Sequence, residues 1–301
     1  MTSAKPNRPV AGIFWMLTTG LCFIAVTALV KYMGPRVPPA ETAFLRYALG
    51  LVFLIPAIGS LRKANLTPRL WRLFATRGLC HAFGVMLWFY AMVRIPIADV
   101  TAMNYLAPIY VTLGAALFLG EKLALRRIAA VIAALVGAAI ILRPGFREVN
   151  SGHLAMLFAA VVFAVSYLTA KIVADEARPA VVVAMLSIFV TICLAPFALA
   201  NWVTPSLGDL VLLFGVACFA TAGHYSMTLA FAAAPVMVTQ PVTFTQLIWA
   251  VLLGALVFDE AVDVWVVVGG VVILLSVTFI TWRETVSKRK PVTPPPNATK
   301  F

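Results

Sequence analysis

The chain has 301 residues, of which 62% are hydrophobic and only 11% are charged, and its mean hydropathy is +1.00. A water-soluble domain cannot hide that much apolar surface, so the composition excludes one and points to an all-α integral membrane protein. The net charge of +12 would suit a nucleic-acid partner, but the basic residues are spread over the joints between apolar runs, so no nucleic-acid partner is expected.

The apolar runs fall at 11–30, 40–60, 71–93, 97–119, 125–142, 152–172, 180–200, 209–231, 236–258 and 264–282. Each is long enough for a transmembrane helix, and none alternates as a strand would. The first run follows Lys5 and Arg8 as a signal peptide would, yet it is long enough to cross a bilayer. Its counterpart at 152–172 also lies mid-chain, where no signal peptide can be. It also carries Trp15, a candidate lining residue. The second run contains Arg46, the one charge well inside an apolar stretch. Arg46 is either a cationic anchor for an anionic or polar substrate group, or a structural guanidinium that binds carbonyls or reaches outward. The third run carries His81, Trp88 and Tyr90. The fourth is polar through its middle, with Thr101, Asn104, Tyr105, Tyr110 and Thr112. The fifth has small residues at Ala129, Ala133 and Gly137, comparable to Gly269 and Ser276 in the tenth, a pattern that lets scaffold helices approach closely.

In the second half, the sixth run adds Ser166 and Tyr167, and the eighth adds His224 and Tyr225. A histidine in a membrane binds ligand, relays protons or simply bonds to a neighbour. The ninth run carries Thr239, Gln240, Thr243, Thr245, Gln246 and Trp249. Positions 101, 104, 105, 108 and 112 share one helix face, as do 239, 243, 246 and 250. These faces suit a cavity wall; the alternative is that their amides and hydroxyls bond between helices. Pro108 and Pro241 interrupt the same two runs, where they either free carbonyls for substrate or let the helix bend. The four cysteines, Cys22, Cys80, Cys193 and Cys218, all lie in apolar runs and none forms a CxxC pair. They are expected to be small core residues, with no metal and no cofactor.

The two halves repeat one another. Ala91, Pro96 and Glu121 match Ala230, Pro235 and Glu260 at a spacing of about 139 residues, and Asn104 falls opposite Thr243. Gly12, Phe23, Lys31, Pro39 and Pro56 match Gly152, Phe163, Lys171, Pro179 and Pro196 at about 140. The expected division is a first repeat at 11–145, a second at 152–282 and a basic, Pro-rich tail at 283–301. With the N-terminus in the cytoplasm, most of the 23 Lys and Arg residues lie inside. Only Lys31, Arg36, Arg94, Arg143 and Arg147 fall outside, a bias that places both termini in the cytoplasm. The basic loops and tail then face anionic lipid of the inner leaflet. Five spans per repeat is an odd number, so the second repeat enters the membrane inverted, an arrangement that favours a carrier. Glu121 and Glu260 then stand on opposite faces. They either cap the helices that follow them or pair with basic residues as alternating gate latches.

The segment from Arg77 to Gly145 carries Trp88-Phe89-Tyr90-Ala91, Ala98-Asp99-Val100-Thr101-Ala102, Leu106-Ala107-Pro108-Ile109, Gly120-Glu121 and Leu142-Arg143-Pro144-Gly145. With Phe44-Leu45-Arg46-Tyr47 in the second run, this series resembles the EamA type of the drug/metabolite transporter superfamily. The second copy departs from it at Leu247, where Pro108 would predict proline, and at Asp259, where Gly120 would predict glycine. The resemblance implies ten helices, a central cavity between the repeats and a small organic solute. Amino acids, vitamins such as riboflavin and S-adenosylmethionine are the solutes it suggests, in a bacterial-type inner membrane, with the protein as monomer or homodimer.

No GxxxxGK[ST] loop is present, so transport without ATP hydrolysis is expected. The 11 acidic residues all fall at joints and span ends. That predicts a facilitator or exchanger, or coupling through His81 or His224. The alternative function is an integral-membrane enzyme that modifies lipid or prenyl groups. Such chemistry needs clustered carboxylates beside a cavity, and Asp259, Glu260 and Asp263 are the nearest approach to one. A sensor or receptor would need a signalling domain, for which the ten runs leave no room.

Overall fold

The computed structural model describes residues 8–118, 125–174, 176–234 and 236–288. Among them the chain is helical throughout and contains no β-strand. In chain order the helices are α1 (Pro9–Met33), α2 (Pro39–Gly50), α3 (Ile58–Arg62), α4 (Pro68–Met92), α5 (Ile97–Asn104), α6 (Ala107–Phe118), α7 (Leu125–Leu142), α8 (Ser151–Ala174), α9 (Pro179–Ala200), α10 (Leu207–Ala233), α11 (Val236–Thr239), α12 (Phe244–Val257) and α13 (Val264–Lys288). Among the described residues, six helical stretches are long and apolar enough to cross a membrane, within α1, α7, α8, α9, α10 and α13. Large apolar side chains stand exposed along these helices, Phe158, Ile192, Leu199 and Leu275 among them. That surface is stable only in lipid.

The starts of the helices follow local chemistry. Proline occupies the first turn of α1, α2, α4 and α9, where the missing N–H is no loss. Ser206 and Asp209 form a capping box on α10, and Thr67 caps α4 through the Leu70 N–H. The second expected span continues from α2 through a 3-10 stretch, Leu51–Ala57, which contains Pro56, into α3.

The fourth span breaks after Asn104. Pro108 has no N–H to offer the Asn104 carbonyl, so α5 ends there and α6 begins at Ala107. The ninth span breaks at the repeat-equivalent place. Its α11 gives way to a 3-10 turn, Gln240–Thr243, containing Pro241, before α12 begins.

The principal packing partners cross between the halves. α1 lies along α10, α4 along α8, α7 along α13 and α2 along α9. α7 and α13 touch through backbone. A Cβ at Gly137 would meet the Gly269 carbonyl oxygen at 2.8 Å, and one at Gly269 would meet the Gly137 oxygen. The buried stripe of α7 runs through Ala130, Ala134, Gly137, Ala138 and Ile141. This corrects the expected stripe, since Ala129 is exposed and Ala133 half-buried. The true seam lies one residue on, because it must follow the Gly137–Gly269 contact. The cysteines are free and half-buried.

Candidate functional site

α2 brings Arg46 to the middle of the bundle, 5% exposed, with its Nε and Nη1 lacking any hydrogen-bond partner. No described carboxylate pairs with it. Its guanidinium carbon lies 4.1 Å from the centre of the Tyr47 ring, an arrangement that stabilises the cation weakly. Tyr47 stands edge-on to His81 of α4 at 6.2 Å, and its own hydroxyl is unpartnered. His81 is buried; its Nδ1 lies 3.3 Å from Ser166 Oγ on α8, and its ring lies 5.1 Å from Phe163. Phe163 stacks on Tyr167 at 6.0 Å with ring planes 13° apart. His224 of α10 meets Phe23 of α1 edge-on at 5.1 Å.

Arg77 belongs to the same group. Its Nη1 donates to the Val182 carbonyl at 3.0 Å, its Nε has no partner, and Tyr47 and Tyr167 lie within electrostatic reach. His81 in turn feels His224, Arg77 and Arg46. Tyr167, stacked on Phe163, is itself 42% exposed. The centre therefore combines two arginines, two histidines and stacked rings, with no described carboxylate to neutralise them.

The other expected lining residues divide. Trp88 and Tyr110 pack half-buried against the main core. Tyr90 is placed away from the centre, near the end of α4. Its hydroxyl donates to Ser151 Oγ at 3.0 Å, and Arg94 covers its ring at 3.5 Å. The reason is position: Tyr90 lies about half the length of α4 beyond Arg77, in the last turn, where Arg94 covers its ring. Tyr105 is buried and donates its hydroxyl to the Thr243 carbonyl at 3.0 Å, joining the two helix breaks. Asn104 is half-buried at the end of α5, and Thr243 and Gln246 are half-buried in the second break, with Gln246 beside Gly20 of α1. Pro108 accepts the Thr112 hydroxyl on its carbonyl at 3.0 Å, so that carbonyl is already satisfied. Trp249 and Tyr225 stand exposed on α12 and α10. Pro241 lies in the 3-10 turn, and its side chain falls outside the described residues, as do Glu121 and most of the 283–301 tail.

Charge is handled differently where α1, α5, α8 and α13 have an end in common. Lys31, in the last turn of α1, ion-pairs with Glu260 and donates to the Ile95 carbonyl at 2.9 Å. Glu260 Oε2 accepts the Ile97 N–H at 2.9 Å, so it caps α5. The expectation that Glu260 caps the helix after it is thereby corrected: Asp263 does so, accepting the Trp265 N–H at 2.9 Å. The cause is backbone. Asp259 has a φ of +51°, a left-handed turn that Asp tolerates, and it sends Glu260 back over Gly254 toward α1 and α5. Gly254 has no Cβ to obstruct that carboxylate.

Beside this latch, Asp99 is 1% exposed and lies 2.6 Å from Arg147 Nη2 and 3.0 Å from His153 Nε2. His153 Nδ1 accepts the Asn150 N–H at 3.2 Å. Arg143 ion-pairs with Asp263, and Arg147 lies 3.7 Å from it. Asp99 and Glu41 stand at span ends as expected, yet both are buried by protein rather than bathed in water. Among the described residues no three His, Cys, Asp or Glu side chains converge as metal ligands would.

The centre of the bundle thus gathers unpaired cations and rings, while one end is tied by ion pairs. The model of the EamA-like transporter family matches twice, at residues 10–143 and 150–282. The chain belongs to the EamA-like transporter family. It is a multi-pass membrane transporter, as the sequence resemblance implied. A riboflavin transporter of Rhizobium johnstonii is 31% identical to it, over 96% of this chain and 97% of that one. A riboflavin transporter of Vibrio cholerae is 30% identical, over 94% and 97%. An S-adenosylmethionine uptake transporter of Rickettsia prowazekii is 26% identical, over 91% and 93%. A solved crystal structure 18% identical in sequence superposes with a TM-score of 0.62, covering 93% of this chain and 99% of that chain. That likeness shows the fold.

The comparisons leave the roles within the EamA-like transporter to its own geometry. Tyr47, Phe163 and Arg77 were not singled out as lining residues by periodicity, nor Lys31 as the basic partner of Glu260. Repeat matching held the signal: Phe23 and Phe163 are repeat partners, and each faces a histidine.

Proposed function

We propose that this transporter carries a flat, ring-bearing metabolite with an acceptor-rich edge, of which riboflavin is the nearest example, by alternating access between two inverted five-span repeats. One observation carries the substrate class: the buried Arg46 guanidinium keeps two unpartnered nitrogens over the Tyr47 ring, which leads on to His81 and Phe163. A buried donor left unpaired is costly, and a ligand carbonyl or anion supplies the missing acceptor. The stacked Phe163 and Tyr167 suit the face of a planar ring. A sulfonium such as that of S-adenosylmethionine is disfavoured, because a cation about 8 Å from an arginine is repelled by about 2 kcal/mol at an effective dielectric of about 20.

The ten-span, inverted-repeat arrangement is supported by the crossed helix pairs and by the coincident breaks of the fourth and ninth spans. The ion-paired end faces outward and both termini face the cytoplasm of a bacterial-type inner membrane, on the bias of Lys and Arg toward the other end. The basic loops and tail rest against anionic inner-leaflet lipid. Lys31–Glu260 is the outer latch, and its opening admits solute from that side. Glu121, the repeat partner of Glu260, takes the matching role on the inner face.

The test is exchange in liposomes loaded with unlabelled riboflavin. Labelled riboflavin should accumulate, other flavins should compete, and S-adenosylmethionine should not. Exchange of S-adenosylmethionine without exchange of riboflavin overturns the substrate class.

A further inference from the structure

Glu41 is 0% exposed and stands in the first turn of α2. Its Oε2 accepts the Val203 N–H at 2.9 Å, from the connection between α9 and α10, and its Oε1 has no partner. The ionisable groups on the elements around it are Arg46 and Tyr47 on α2 itself, Arg36 in the turn before it, Asp209, Cys218, His224 and Tyr225 on α10, and Arg69, Arg72, Arg77, Cys80, His81 and Tyr90 on α4. α9 carries only the Cys193 thiol, and Arg178 stands at its far end. None of these bonds to Glu41. Arg36 faces Asp209 at 3.8 Å, and Asp209 is held by Ser206 at 2.7 Å. The contrast with the other buried acid is plain, since Asp99 has an arginine and a histidine.

A dry carboxylate with no cation is far more costly than a neutral acid in the same place. The neutral acid keeps the Val203 bond through its carbonyl oxygen and leaves only an uncharged hydroxyl unpaired. We propose that Glu41 is a proton-binding catch on the outer end of this transporter, neutral when that end is closed and ionised when it opens. When the outer end opens, α2 and the α9–α10 connection part and Glu41 meets water and ionises. When that end closes, Glu41 takes up one proton, which later leaves as the end opens again. The covalent change is only the forming and breaking of one O–H bond. Low outer pH therefore favours the closed outer end, and that preference is lost as pH rises.

The inference rests on the transporter reading but not on its substrate. Infrared difference spectroscopy of the protein in lipid should show the C=O stretch of a protonated carboxyl at neutral pH. That band should vanish in Glu41→Gln and shift in Glu41→Asp. Glu41→Gln mimics the neutral acid, so its thermal midpoint should match wild type. In liposomes, riboflavin exchange should quicken at least tenfold as the pH is raised from about 5 to about 8, and Glu41→Gln should abolish that dependence. Absence of the band, its survival in Glu41→Gln, or a pH dependence that Glu41→Gln leaves unchanged overturns the proposal. Wild type that moves no riboflavin defeats the substrate class, while the infrared band still decides the proton site.

Discussion

At the latched end of the bundle, every buried charge has an opposite number; at its centre, two arginines have none. Lys31 meets Glu260, Asp99 meets Arg147 and His153, and Arg143 meets Asp263. Arg46 and Arg77 keep unpartnered guanidinium nitrogens. Evolution of a fold alone would pair or remove such groups, since each unpaired charge lowers stability. Paired charge at the end serves closure, and unpaired charge at the centre is a binding capacity waiting for a ligand.

The sharpest break of this contrast is Arg46→Met. Riboflavin exchange should fall about 100-fold, equivalent to about 3 kcal/mol for a lost charged hydrogen bond. The thermal midpoint of the empty protein should rise by a few degrees, because an orphaned charge has gone. Loss of exchange together with a lower midpoint would assign Arg46 to the scaffold instead.

At the latched end the signs should reverse. Lys31→Met or Glu260→Gln leaves one charge without its partner and should weaken closure by about 2 kcal/mol, less than a fully dry pair because both groups are partly exposed. Hydrogen exchange should then quicken at the Ile97 amide, which Glu260 caps. The double variant should recover part of the loss, with a coupling of about 1 kcal/mol. Unchanged exchange at Ile97 would remove the latch.

A gentler approach is Gly254→Ala. The added methyl lands on the Glu260 carboxylate, and the side chain must swing aside. Closure should weaken by about 1 kcal/mol, visible again at the Ile97 amide and smaller than in Glu260→Gln. An Ala that leaves that amide unchanged would show that Glu260 has slack.

The sequence made the scaffold legible and the contacts less so. Hydropathy located the six membrane-length helices of the described residues, because lipid demands long apolar stretches whatever their partners. Pro108 and Pro241 marked the two breaks, because a missing N–H acts locally. Tyr90 bonds Ser151 and Tyr105 bonds the Thr243 carbonyl, partners that helix periodicity does not give, since it names a face but not what stands opposite it. Between the two readings of Glu260, cap or partner of a basic residue, the left-handed Asp259 decides, because it turns the side chain back toward Lys31. Arg46 stood out as a lone charge, but the rings that follow from its neighbour Tyr47, His81 and then Phe163, come from two other helices far apart in sequence. Repeat matching carried more than periodicity did. Gly84 and Gly223 are repeat partners at about 139 residues, and Phe163 and Phe23 press into the gaps they leave. A pattern kept in both halves reports a contact made twice.

Tyr105→Phe tests the joint between the two regions and should have the smallest effect. The Tyr105 hydroxyl bonds the carbonyl of Thr243, so the break in the fourth span is tied to the break in the ninth. Without it one donor disappears and one buried carbonyl loses a bond, at a cost of about 1 kcal/mol. If the two breaks move as one during transport, that loss should change the exchange rate several-fold while half-saturation by riboflavin stays put. The ring remains, so packing of the core is preserved. If instead Tyr105 touched the solute, half-saturation would rise and the maximal rate would hold. The split between these two constants therefore decides whether the polar middle of the fourth and ninth spans is a hinge or a wall.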